Sequence, residues 1–237
     1  MIDLTTNLSK YVPHIWKSDF DSEATAFLEA YYKPAIEKPM CVPIEMIAKD
    51  VLHLTIKEIR MTEDLSILGQ MCFTPGKVEI YDKAEDEYRE IVVEAGTMIL
   101  DPDTEALRNI GSKRNTIAHE CFHWHRHRPY HLAAAAAVQD KAAYRCPVNL
   151  KDEKFKDEWT DEDWMEWQAN GIAPRILMPI ETVEEIFENL RKKSLQNPFV
   201  AKGLRPQSEW ILEQFAGFYK VSKISAHIRL TELGYLS

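Results

Sequence analysis

The 237-residue chain spends only eight positions on glycine, and neither G-x-G-x-x-G nor G-x-x-x-x-G-K-[ST] occurs. That excludes the common nucleotide-binding loops, whose backbone must approach a phosphate closely. The four cysteines, Cys41, Cys72, Cys121 and Cys146, form no C-x-x-C pair. Nothing in their spacing reads as a disulfide framework, so reduced thiols in a cytoplasmic protein are expected. No stretch reaches the roughly 18 uncharged apolar residues that a membrane helix needs. The N-terminal residues lack both a charged n-region and an apolar h-region, so neither a span nor a secretion signal is expected. Basic excess is missing too: 38 acidic residues face 29 basic ones, for a net charge of -9. Counterion release from nucleic acid is then not a bulk property of this surface, and direct nucleic-acid binding is not expected.

What remains is an ordinary globular composition, 45% hydrophobic and 28% charged, with ample apolar material for a core. Residues 22–32 place Ala24, Phe27, Leu28 and Tyr31 at helical spacing, ending near Pro34. A second short helix follows Pro43, where Ile44, Ile47, Ala48 and Leu52 share a face. From 53 to 102 the pattern shifts to short β-branched and aromatic runs, at 53–59, 67–73, 77–81, 89–93 and 97–100, separated by turn signals such as Pro75-Gly76. Beyond Pro102 the chain reads as helical. One long helix holds most of the histidines, and the strongly acidic residues 151–166 follow it. The alanine run 133–137 predicts a helix packed closely on a neighbour. The expectation is an α+β fold in one domain, 1–237: N-terminal helices to 52, a small mostly antiparallel sheet at 53–102, helices at 103–200 and a helix-turn-helix-like segment at 201–237.

Histidine is the unevenly distributed residue, because five of the eight lie between His119 and His131. Within them, His119-Glu120-Cys121-Phe122-His123 matches H-E-x-x-H. Residues four apart share a helix face, so both imidazoles can reach one zinc ion at about 2.0–2.1 Å. Glu120, beside that face, can take a proton from the metal's water. The competing reading is a solvent-facing histidine-rich helix in which Glu120 is a surface carboxylate.

A catalytic zinc requires a third protein ligand. His127 continues the ladder, but eight residues beyond His119 it stands about 12 Å further along the axis, too far to share one ion. The third ligand must come from another element, with Cys146 and the acidic residues of 151–166 as candidates. Glu166 is the strongest, because Ala169 and Ala173 follow it on one helical face and let a second helix approach. Asn170, a turn beyond Glu166, is placed either to hydrogen-bond near the site or to pack helices. Trp164 and Trp167 read as core anchors. For His125, His127, Tyr130 and His131 the expectation is a surface role or one that supports the ligands.

Taken together these residues resemble the ImmA/IrrE family of zinc metallopeptidases. The resemblance rests on residues 114–123, on Glu166-Trp167-Gln168-Ala169-Asn170 leading to Leu177-Met178-Pro179, and on Val221-Ser222 with Arg229-Leu230 and Leu233-Gly234. It extends over roughly residues 22–236 and includes the helix after Pro43. It implies a zincin-like helical region, zinc held by His119, His123 and Glu166, and Glu120 as general base. It further implies an endopeptidase whose protein substrate is a helix-turn-helix transcriptional repressor. Two positions depart from the family pattern: Phe122 stands where glycine is usual, and Pro174 interrupts a helix that is usually unbroken.

The C-terminal segment, 206–236, has two apolar-periodic stretches joined at Tyr219-Lys220-Val221, with Ser222 placed to cap the second. Residues 201–237 hold five basic and three acidic side chains, a balance too thin for a DNA reader, so helix packing is expected there. The alternatives to an enzyme are a DNA-binding regulator with an inert or structural metal site, and a binding module that uses the acidic segment to hold a basic partner.

Overall fold

The helical spacing of Ala24, Phe27 and Leu28 produces α1 (Phe20–Tyr31), which buries all three. It is the first long element in a computed structural model that describes residues 8–64, 66–104, 110–137 and 158–236. Pro34 opens a separate turn, α2 (Pro34–Glu37), since proline cannot continue a helix but suits its first position. After Pro43, α3 (Ile44–Met46) runs into a π turn, Ile47–Val51, and buries Ile44, Ile47 and Ala48.

Five strands follow: β1 (Thr55–Glu58), β2 (Gly69–Cys72), β3 (Gly76–Asp82), β4 (Glu87–Val93) and β5 (Thr97–Leu100). Their positions agree with the predicted runs, but they do not form one sheet. A three-stranded sheet has the order β1-β5-β2, and β3 with β4 makes a separate hairpin. β1 is parallel to β5, while β2–β5 and β3–β4 are antiparallel. Burial accounts for the division. Every residue of β2 and β5 is buried, whereas β4 exposes Glu87, Tyr88, Arg89 and Glu90 and stays at the surface. The hairpin's Val78, Ile80 and Val93 join Met61, Cys72 and Ile99 in a small second core.

Helix α4 (Ile110–Phe122), a π turn at His123–His127 and α5 (Arg128–Ala137) run end to end. The single long helix predicted here is therefore widened where the histidines sit. The alanine run is less covered than expected: of residues 133–137 only Ala134 is buried, packed with Tyr130 and Met165. Helix α6 (Asp161–Leu177) starts at Thr160, whose hydroxyl accepts from the Asp163 N–H while Asp163 accepts from the Thr160 N–H. This reciprocal cap satisfies two donors that a helix start leaves open. Cys146 and residues 151–157 of the acidic segment lie outside the described residues. Pro174 sits in the last turn of α6, which continues to Leu177, so the backbone bond it removes is lost where few remain to lose.

Four helices complete the chain: α7 (Ile180–Gln196), α8 (Pro198–Ala201), α9 (Gln207–Tyr219) and α10 (Lys223–Glu232). Lys220, in the left-handed region at φ 52°, ends α9, and the Ser222 hydroxyl caps α10 by accepting from the Ser225 N–H. Ile211, Phe215, Tyr219, Ala226 and Leu230 of this pair enter the main core, which takes residues from Ile15 to Leu230. No helix among the described residues is long and apolar enough to cross a membrane.

Two close approaches position the site. A Cβ at Gly69 would lie 2.2 Å from Thr116 Cγ2, so β2 rests directly on α4. A Cβ at Gly171 would lie 2.0 Å from Phe20 Cε2, so α1 rests on the opposite side of α6. Ala169 and Ala173 are fully buried, the small residues that the sequence offered for a tight helix contact.

Candidate metal centre

One turn of α4 and its π extension brings His119 and His123 to the same side, and α6 presents Glu166 to both. His119 Nε2 lies 2.9 Å from His123 Nε2. The Glu166 carboxylate stands 3.4 Å from His119 Nε2 and 3.2 Å from His123 Nε2. One donor atom from each residue falls within 4.8 Å of the others, a group that could hold a metal ion. His123 is wholly buried, while the His119 side chain keeps 12% of its exposure. The site therefore reaches the surface at His119.

Glu120 lies on the side of α4 that meets β2, and it is buried. The Met71 N–H of β2 donates to its carboxylate. Gly69 makes room for it: a Cβ there would stand 3.3 Å from Glu120 Oε1. Oε2 has no hydrogen-bond partner among the described residues. Burial pushes the Glu120 carboxyl up to about 7; His119 opposes that rise, Glu166 adds to it and the Met71 bond lessens it.

The surrounding groups are electrostatically coupled. Burial would raise Glu166, but the imidazoles of His123 and His119 overcome it and hold the carboxylate well below its ordinary range. Burial pulls His119 down, yet Glu166, Glu120 and Asn170 together lift it above its usual value. His123 ends below the usual value because burial outweighs Glu166.

Each imidazole is also backed by a polar side chain. Asn170 Nδ2 donates to the Glu166 backbone carbonyl at 2.9 Å, and the Asn170 side chain hydrogen-bonds the His119 ring. Behind His123, His127 Nδ1 lies 2.8 Å from His123 Nδ1, and His127 Nε2 lies 3.0 Å from Gln168 Oε1. Burial, reinforced by His123, drives His127 well below the usual imidazole range.

The fold thus gathers His119, His123 and Glu166 and keeps Glu120 within their electrostatic reach. His127 is excluded from the donor trio, as its distance along the axis requires, and supports His123 from behind. The reading of a solvent-facing histidine-rich helix does not describe this segment, since His123, His127 and His131 are fully buried. His131 stacks on Phe73 at 4.0 Å, and His125 meets the Tyr31 hydroxyl at 2.9 Å. Phe122, the bulky departure beside His123, lies in the core with its ring edge-on to His127 at 5.4 Å. Trp167 packs on Phe20 at 4.7 Å, an anchoring role as expected. Gln168 was not legible as a site residue, because a glutamine two positions past a ligand carries no periodic signal. Met71 contributes only a backbone N–H, which sequence cannot reveal.

Set beside family models, curated proteins and solved structures, the chain matches none. The class that the geometry itself defines is a mixed α+β protein with a buried group of two imidazoles and one carboxylate that could hold a metal ion.

Proposed function

We propose that the chain is a zinc-dependent metalloendopeptidase of the H-E-x-x-H type, related to the ImmA/IrrE peptidases. The observation that carries this reading is Glu120: a buried carboxylate within electrostatic reach of the donor trio, pushed up to about 7, with an oxygen that no group among the described residues satisfies. A purely structural carboxylate at that depth would be expected to have its oxygens bonded.

The donor set fits zinc. Ligand atoms about 2.0–2.1 Å from a tetrahedral ion stand about 3.3–3.4 Å apart; here the two imidazole nitrogens are 2.9 Å apart, one Glu166 oxygen lies 3.4 Å from His119 and the other 3.2 Å from His123. One donor atom from each residue lies within 4.8 Å of the others, so small side-chain shifts would close the set on an ion. His119, His123 and Glu166 would hold the ion, which supplies an acidified water and a Lewis acid for the scissile carbonyl. With the ion bound, Glu120 would serve as general base toward a water and then as proton donor to the departing amine. Asn170 orients His119, and His127 orients His123. The partial exposure of His119 gives a peptide its approach, while burial of the other groups limits bulk water.

The zincin-like arrangement and the helix-turn-helix likeness of α9 and α10 belong to the same reading. So do a cytoplasmic location and a transcriptional repressor as protein substrate; the substrate class rests on the motif resemblance alone. Direct binding of DNA is no part of it. Arg205 and Lys223 both pair with Glu213, Arg229 is buried against Asp21, and the outer side of α10 exposes Ile224 and Ile228.

The test is metal analysis and cleavage with the full-length protein beside Glu120→Gln, using a small repressor encoded next to it as substrate. About one zinc per chain is expected in both. Cleavage should fall by at least about a hundredfold in the variant, the usual scale for losing a general base. Protein prepared without chelator that lacks stoichiometric zinc would overturn the site. Equal cleavage by the variant would overturn Glu120's role.

A further inference from the structure

We propose, resting on the zinc site of the reading above, that His127 and Gln168 are positioning residues. They form a one-way hydrogen-bond chain that starts at the Pro13 carbonyl and fixes the proton of His123 on Nδ1, leaving its Nε2 lone pair for the metal.

The direction follows from the far end. The Pro13 carbonyl only accepts, and Gln168 Nε2 lies 2.8 Å from it. Turning the amide over would set two carbonyl oxygens at that separation with no proton between them, so Nε2 is the atom facing Pro13. Gln168 then offers Oε1 to His127 Nε2 at 3.0 Å. A carbonyl oxygen cannot donate, so His127 Nε2 carries the proton. His127 is fully buried, and among the described residues its two ring nitrogens meet Gln168 and His123 alone. A second proton would make a buried cation that no carboxylate of the described residues touches, which is costly. Its Nδ1 therefore presents a lone pair to His123 Nδ1 at 2.8 Å, and His123 must donate. The Nε2 of His123 is then free of hydrogen, and it is the nitrogen that faces His119 and Glu166.

Each link is determined by the one before it, and all three side chains are at least 98% buried. The chain also brings the N-terminal segment into the site. Pro13 is held over α6 by its neighbours: the Ser9 hydroxyl donates to Asp161 at 2.8 Å, and Trp16 packs edge-on to Trp164 at 6.5 Å. Metal ligands usually donate to a carboxylate, a backbone carbonyl or water. A neutral histidine and an amide here orient the ligand without adding a charge to a site that already contains Glu120 and Glu166.

Imidazole 15N NMR of the full-length, zinc-loaded protein reads the tautomers directly. His127 is expected with its proton on Nε2, and His123 with its proton on Nδ1 and the metal on Nε2. Zinc competition against a chromophoric chelator supplies the second readout. His127→Leu and Gln168→Leu should each weaken zinc about 10–100-fold, the scale for outer partners of a ligand. His127→Gln, which keeps one acceptor and one donor, should restore most of that. A proton on His127 Nδ1, zinc on His123 Nδ1, or unchanged affinity in both leucine variants overturns the proposal. The NMR on the unaltered protein decides the matter even if a variant fails to fold. Tight zinc with these tautomers but no peptide cleavage would overturn the peptidase reading and leave the chain of bonds standing. A protein that binds no zinc overturns both.

Discussion

Helix α6 carries a polar cluster at each end, and the two are built on opposite plans. Toward its C-terminus, Arg175 pairs with Glu232 at 2.7 Å, and Arg229, reaching over from α10, pairs with Asp21 of α1 at 2.5 Å and donates to the Met178 carbonyl. Each charge there meets its opposite, and three helices are tied together. Toward its N-terminus, Glu166 faces two imidazoles, and Glu120 has an oxygen that no group among the described residues satisfies. There the polar atoms are anchored from behind, by Asn170 and by His127 with Gln168, while their front faces converge. The first cluster sets every guanidinium against a carboxylate, although Arg175 Nε makes no hydrogen bond among the described residues; the second leaves a carboxylate oxygen open beside converging donors, an arrangement suited to something brought to it.

The sharpest break in that comparison comes from exchanging the two carboxylates' roles. Glu166→Gln keeps the volume and removes a ligand charge. Zinc affinity is expected to fall by more than the roughly 10–100-fold seen for outer partners, while the urea midpoint of the metal-free chain moves less than it does for Asp21. Chelator competition beside urea unfolding checks both halves. A variant that binds zinc as tightly as the parent would remove Glu166 from the site.

Asp21→Ala should show the reverse. It leaves the Arg229 guanidinium, 2% exposed, without its carboxylate; stranding one member of a fully buried pair costs about 3 kcal/mol, and the 29% exposure of Asp21 reduces that here. Zinc affinity should be unchanged. Replacing both members, as Asp21→Leu with Arg229→Met, should recover much of the loss, since apolar residues of similar volume avoid the desolvation cost. Urea unfolding of single and double variants measures this. If Asp21→Ala weakened zinc while leaving stability intact, the division between the two clusters would not hold.

The metal side of this contrast was the more legible in sequence. His119, Glu120 and His123 declare themselves by spacing, and Glu166 by the small residues that follow it, because ligand chemistry is tied to local periodicity. The charged cluster was silent: Asp21 and Arg229 are 208 positions apart, and no local pattern couples them. The sheet divides along the same line. Strand positions followed from alternating and apolar runs, whereas the parallel β1–β5 pairing is a long-range choice, made where β2 and β5 find cover under α4. Gln168 escaped notice because its importance comes from the Pro13 carbonyl, a backbone atom from a segment that sequence left unassigned.

The smallest expected effect separates the two clusters by acid. Burial first, then His123, pushes His131 down to about 3 from an ordinary 6.5. For a histidine depressed in the folded state, the unfolded chain takes up a proton below pH 6.5 that the folded chain refuses. Its contribution to stability is therefore fully present above 6.5 and is lost as pH falls from there toward 3. One proton taken up on unfolding gives a slope of about 1.4 kcal/mol per pH unit. Between about pH 4 and 6, the metal-free parent should lose stability more steeply than His131→Leu by close to that amount. The window sits between the two limits, and the leucine keeps an apolar contact with Phe73. Urea unfolding at several pH values in the presence of chelator reads the difference in slope. Equal slopes would mean that His131 carries no acid sensitivity.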